Sequence, residues 1–149
     1  MAGYKDGEKL WLDRLRIMDD FNRDNSSRCN WLQRNNGKSN HYAVLKPGVH
    51  TRARHGLTGM RINNWQTITQ LWQKYADDET ALINLEDLMD RTLNEIDKWP
   101  RLEDAGNTLI GAMITEVREV FALPADGPQW LYVELVGEWD EQKAVTLSE

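Results

Sequence analysis

The stretch that decides the fold is residues 64–100, "NWQTITQLWQKYADDETALINLEDLMDRTLNEIDKWP". In its first half Trp65, Thr67, Thr69, Leu71 and Tyr75 fall on one face of a strand, with Ile68 and Trp72 on the other. Thr, Ile, Trp and Tyr suit a pleated, half-buried surface. Ile68, Leu71, Trp72 and Tyr75 also fit helical spacing, but the threonines and the change of pattern at Ala76 favour a strand. Asp77 and Asp78 then supply a cap and negative charge at a helix N-terminus. Leu82, Leu85, Met89, Leu93 and Ile96 form the stripe expected to be its core face. Trp99-Pro100 ends the helix, because the residue before proline avoids the α region. A strand thus runs into a helix with almost no loop.

Working outward, residues 6–23 place Leu10, Trp11, Leu15, Met18 and Phe21 at helical spacing, which predicts an amphipathic helix. Residues 24–40 are rich in Asn, Ser, Arg and Gly and read as a loop. "HYAVLK", residues 41–46, reads as a strand ended by the turn pair Pro47-Gly48. The basic, glycine-containing segment at about 47–61 reads as a long, mobile hairpin loop. Residues 108–121 and 129–139 are strand candidates joined by "ALPADGP", an expected antiparallel pair. On the last, Leu131, Val133 and Leu135 oppose Trp130, Tyr132 and Val136, so both faces need cover. The polar tail, about 140–149, is expected to fray or lie against a neighbour. The order predicts an α+β fold, a small antiparallel sheet or sandwich flanked by helices.

The 149 residues suit a single domain that buries about 70% of its unfolded surface. One cysteine, Cys29, cannot make an internal disulfide. The first residues lack an apolar h-region and no run approaches 18 apolar residues, so neither a signal peptide nor a membrane span is expected. The net charge of -6 is unevenly spread. Residues 25–76 carry eight basic and no acidic side chains; the other ten basic and all 24 acidic residues lie outside, so the segment is +8 and the remainder -14. Such a division points to separate basic and acidic surfaces, to nearby nucleic acid, or to self-association.

No catalytic constellation is legible. His41, His50 and His55 have no metal-type spacing, and no nucleophile signature surrounds Cys29. The pairs Asp19-Asp20 and Asp77-Asp78 are explained as helix-end residues. No phosphate loop, dinucleotide fingerprint or nucleophile elbow occurs. The reading is a chain with no catalytic, cofactor-binding or metal site.

The central run resembles the tail terminators and tail-completion proteins of bacteriophages with long flexible tails. In that group a strand ends aromatic-basic-aromatic, passes an acidic pair and enters a helix closed by aromatic-Pro-x-Leu. Here those elements are Trp72 to Tyr75, Asp77-Asp78, and Trp99-Pro100-Arg101-Leu102. "HYAVLKPG" resembles the first strand of the group and "YVELVGEWDEQ" its closing strand, so the likeness spans residues 41–141. "RDNSSRCNWLQRNNGKSN" has no counterpart.

The resemblance implies a tail-tube-like fold and a homo-oligomeric ring, hexameric in the group. Such a ring caps the tail-tube protein, stops polymerisation and offers its other side to the head connector protein. It implies a place in the virion at the head–tail interface, after assembly in the host cytoplasm. The loop with Arg52, Arg54, His55 and Arg61 would then face a neighbour, the tube or DNA in the channel. The alternatives are a neck or head-completion protein and a non-enzymatic nucleic-acid-binding module.

Overall fold

The computed structural model describes residues 4–23, 25–28, 40–48, 51–55, 60–74, 78–98, 101–103, 108–120 and 130–144. In chain order they form α1 (Tyr4–Leu15), β1 (Ser26–Ser27), β2 (His41–Pro47), β3 (Thr51–His55), β4 (Met60–Lys74), α2 (Asp78–Asp97), β5 (Arg101–Glu103), β6 (Thr108–Val120) and β7 (Trp130–Ala144). Among the described residues seven strands make one sheet in the order β1-β2-β4-β7-β6-β5, with β3 also on β4. The sheet is antiparallel except for the short parallel pair β1–β2, and the architecture is α+β as expected.

The centre of the sheet is the pairing of β4 with β7. Fifteen residue pairs, from Met60↔Ala144 to Lys74↔Trp130, match without a register shift. At about 3.4 Å per residue the pair is about 50 Å long. The other edge of β4 is shared end to end: β2 pairs with Thr67 to Gln73, and β3 with Met60 to Asn64. Gly48 N–H donates to the Gln66 carbonyl at 2.9 Å and bridges the two. The register against β4 differs by one residue between β2 and β3.

Two expectations are corrected here. The segment expected as a mobile loop at 47–61 is a strand pair over Thr51–His55 and Met60–Asn64. The tail expected to fray from residue 140 instead completes β7 as far as Ala144, because Met60–Asn64 give it a partner strand. Polar composition misled both readings: a ribbon's backbone hydrogen bonds do not require apolar side chains.

Both helices cover one face. Alternation along β4 and β7 sends Thr67, Thr69, Leu71, Leu131, Val133, Leu135 and Trp139 toward α1 and α2, and all are buried. Trp11 on α1 donates its indole N–H to Thr69 Oγ1 at 3.2 Å, and Trp139 donates to Thr67 Oγ1 at 3.3 Å. The strand's threonines thus satisfy two buried indoles. Two glycines make room for the rings. A Cβ on Gly137 would stand 2.5 Å from Trp11 Cζ2, and one on Gly7 would stand 2.1 Å from Trp139 Cζ2. Helix and strand interlock through a reciprocal pair of tryptophan and glycine.

The first helix stops at Leu15 rather than continuing to residue 23. Ile17, Met18 and Phe21 bond to carbonyls three residues back, so the chain tightens into single turns. That geometry still delivers Met18 and Phe21 to the core. On α2, Leu85 and Ile96 are buried and Met89 and Leu93 pack partly against the core, as the stripe predicted. Leu82 is not core: it is 37% exposed, and Ala81, Leu88 and Thr92 are buried instead. At about 100° per residue Leu82 sits about 80° from the centre of that buried stripe. Thr92 is tolerated inside because its hydroxyl donates to the Leu88 carbonyl at 2.8 Å.

Part of the segment read as loop is ordered by a polar hub. Asn25 is buried; its Oδ1 accepts from the Asn22 N–H at 2.7 Å and its Nδ2 donates to the Asp20 carbonyl at 2.9 Å. Its own carbonyl accepts from the Ala43 N–H, which aligns Ser26–Ser27 beside β2. Cys29, His50, Tyr75, Asp77 and Trp99-Pro100 lie outside the described residues.

Candidate functional site

The face of β4 and β7 away from the helices has its own order. Opposed residues along it run as an apolar row, Trp72 against Tyr132, a polar one, Gln70 against Glu134, an apolar one, Ile68 against Val136, and two polar ones, Gln66 against Glu138 and Asn64 against Asp140. Each polar row is closed by an amide donating to a carboxylate, at 3.0 Å for Gln70–Glu134, 3.1 Å for Gln66–Glu138 and 2.9 Å for Asn64–Asp140. Lys46 on β2 adds a 3.0 Å ion pair to Glu134, and Arg118 on β6 stands opposite Glu134 in register. Burial pushes the Glu134 carboxyl up, but the hydrogen bonds from Gln70 and Lys46 and the charges of Lys46 and Arg118 outweigh it. The group is held below the usual carboxylate range.

At one end of this face lies an aromatic cluster. Trp72 stacks on Tyr132 with ring centres 4.3 Å apart and on Tyr42 at 5.6 Å, while Trp130 meets Tyr42 edge-on at 5.1 Å. Tyr42 is fully buried, and burial raises its phenol well above the ordinary value.

At the opposite end of the β4–β7 pair stands the ribbon of β3 with the start of β4, where Arg61, Asn63 and Lys143 have the register parity of Thr67 and Leu135 and not that of the carboxylate ladder. The sequence-predicted residues Arg52, Arg54, His55 and Arg61 all lie on it. Arg54 is opposite Arg61, and Arg61 is opposite Lys143, so three basic residues form one row across three strands. Arg52 occupies the next row on the same face, opposite Asn63, while His55 pairs with Met60 on the other face.

A further feature escaped the sequence because it assembles distant segments. A cleft of about 230 Å³ lies between α2 and the ends of β2 and β4, lined by Asn40, His41, Gln73, Asn84, Asp87, Leu88 and Arg91. Arg91 spans it to Asp20, its Nε at 3.0 Å from Oδ2 and its Nη2 at 2.8 Å from Oδ1. These hydrogen bonds raise the guanidinium above its ordinary value. His41 Nε2 donates to the Asp20 carbonyl at 2.6 Å. A shallower cleft of about 610 Å³ continues past Arg91, beside Ile17, Asp19 and Glu95. The outer face of α2 beside both carries exposed Glu79, Glu86, Asp87, Asp90 and Asp97, with exposed Ile83 and Leu82 among them.

No family model matches the chain, and no curated protein matches it. Among the described residues no group of three or more His, Cys, Asp or Glu is placed to share a metal ion. Among the same residues no helix is long and apolar enough to cross a membrane. The arrangement offers surfaces for docking: a ladder of carboxylates, a basic ribbon and a polar cleft.

Proposed function

We propose that this chain is a structural assembly protein of the tail-terminator kind that its sequence resembles. It closes into a ring on the end of the tail tube, halts polymerisation and presents its other side to the head connector. The observation that carries this reading is the one-sided sheet. Both described helices lie on one face of a platform about 50 Å long, and the other face holds an ordered ladder of amide–carboxylate pairs. A platform of that length, with a basic ribbon at one end and an acidic helix beside it, joins unlike surfaces of identical subunits. That is the requirement of a heterologous ring. The protein acts without catalysis, within the virion, at the junction of head and tail.

The test has two arms. Light scattering across protein concentration should reveal a species near six times 17.3 kDa. Added to polymerising tail tubes, the protein should fix their length, and a tube that grows unchanged in its presence ends the terminator reading. The neck-protein alternative predicts binding to the connector and none to the tube. The basic row favours a second contact, with DNA phosphates in the channel; retention on DNA should fall steeply as salt rises.

A further inference from the structure

We infer that the open edge of β6 pairs antiparallel with the same edge of a second copy of this chain, about a two-fold axis at Val117. The inference does not depend on the ring reading, because a two-fold contact closes at two copies and does not propagate.

The edge is open by topology. β6 lies between β7 and β5, but β5 is three residues long and reaches only Thr108–Ile110. From Gly111 to Val120 the outer side of β6 has no strand beside it among the described residues. The backbone N–H and C=O groups of such an edge are a template for another strand. Exposure agrees: Met113, Thr115, Glu116, Val117 and Arg118 are all exposed, Val117 at 41% although it is apolar. Register shifts at Ile110/Met113 and Ile114/Glu116 make the first part of the edge irregular. Beyond them Glu116 to Val120 match Val136 to Tyr132 one for one, so this stretch is a regular strand.

The charges on that stretch select a second copy. An edge lined with charges of one sign repels its own copy. β6 instead carries Glu116 and Arg118, of opposite sign and two residues apart, hence on one face. In an antiparallel sheet built about a two-fold axis, opposed residues lie at equal distances either side of one central residue. A centre at Glu116, Arg118 or Glu119 sets a charge against itself, and a centre at Val120 carries both charged residues past the end of the strand. A centre at Val117 sets Glu116 against Arg118 of the second copy on both sides of the axis, and the two valines against each other. Opposed residues stand about 4.5–5.5 Å apart, within reach of both contacts. Within one copy Arg118 Nε and Nη2 already donate to the two Glu116 carboxylate oxygens, each at 3.1 Å. That pair is half exposed to water and contributes little by itself. Exchanging it across the axis therefore costs little, while pairing adds ladder hydrogen bonds and buries Val117.

Charge exchange and a cysteine at the axis test this together. Sedimentation should show a concentration-dependent dimer of twice 17.3 kDa, alone or as the step below a larger assembly. Glu116→Arg and Arg118→Glu should each lose it, since each sets like charges across the axis. A 1:1 mixture of the two, and the exchange Glu116→Arg/Arg118→Glu in one chain, should recover it. In a Cys29→Ser background Val117→Cys should cross-link two copies under mild oxidation. Met113→Cys is the control: its two copies would stand about 25 Å apart and should not cross-link. Circular dichroism checks folding, and the two cysteine variants decide the matter if a charge variant is unfolded. A native chain that is monomeric at every concentration, a dimer indifferent to Glu116→Arg, or equal cross-linking at 113 and 117 overturns the contact. Rings of six that persist in Glu116→Arg with no Val117→Cys cross-link overturn it too, and leave the ring reading standing. A dimer that responds as expected upholds it whether or not the chain caps tubes.

Discussion

Replacing Gly137 with alanine tests the interlock that seats α1 on the sheet. The new methyl would lie 2.5 Å from Trp11 Cζ2 and 2.6 Å from Cη2, against about 3.5–4 Å for relaxed carbon contacts. The indole would therefore have to retreat by about 1 Å. It has little freedom to do so, being 1% exposed and tied through its N–H to Thr69. Overpacking of this kind costs about 1–3 kcal/mol, while a Gly-to-Ala exchange recovers about 0.4–1 kcal/mol by restricting the unfolded chain. The expected net loss is about 1–2 kcal/mol, a fall in Tm of about 2–8 °C for a domain of this size. Urea titration at constant m-value gives the free energy directly. The same substitution in a Trp11→Leu background, where the ring is gone, should be neutral or slightly stabilising. Equal losses in both backgrounds would refute the reasoning, since the cost would then have nothing to do with the indole.

Leu85→Ala should cost about 2–5 kcal/mol, as the truncation of a buried side chain 5% exposed, whereas Leu82→Ala should stay within about 0.5 kcal/mol; equal effects would mean that the buried stripe of α2 is misplaced. Thr69→Val keeps the shape but removes the acceptor for the buried Trp11 indole, and chemical denaturation should register a loss of about 1–3 kcal/mol. Glu134 is held below its unfolded value, so its contribution is present above the unfolded carboxylate pKa and disappears as pH falls through the lower folded one. Stability measured from pH 6 downward should therefore decline less steeply in Glu134→Gln than in the native chain.

Much of the sheet and the second helix could be read because their signals are local. The alternation of Trp65, Thr67, Thr69 and Leu71 against Ile68 and Trp72 matches the burial of alternate residues on β4, and Leu131, Val133 and Leu135 behave alike on β7. The ribbon was missed because Thr51–His55 and Met60–Asn64 carry basic and polar side chains, and only pairing with β7 identifies them as strands. β1 is two serines aligned by Asn25, a signal that no window of periodicity contains. Leu82 was assigned to the core because it begins a stripe of large apolar residues. Ala81 and Thr92, which a search for large apolar residues passes over, are buried on that stripe together with Leu88. The basic residues of the candidate site were legible as composition. The cleft was not, since Asp20, His41, Gln73 and Asp87 come from four separate stretches.

The charge division along the chain also has a structural reason. The acid-free stretch supplies β2, β3 and β4, and β4 runs beside β7 with its Glu134, Glu138 and Asp140. Carboxylates on β4 opposite these would repel directly across the register. Asn64, Gln66 and Gln70 instead donate to them, and Lys46 adds a cation from β2. Excluding acid from the stretch thus keeps the carboxylates of that face paired within the subunit. The same exclusion keeps carboxylates from facing carboxylates at the centre of the fold.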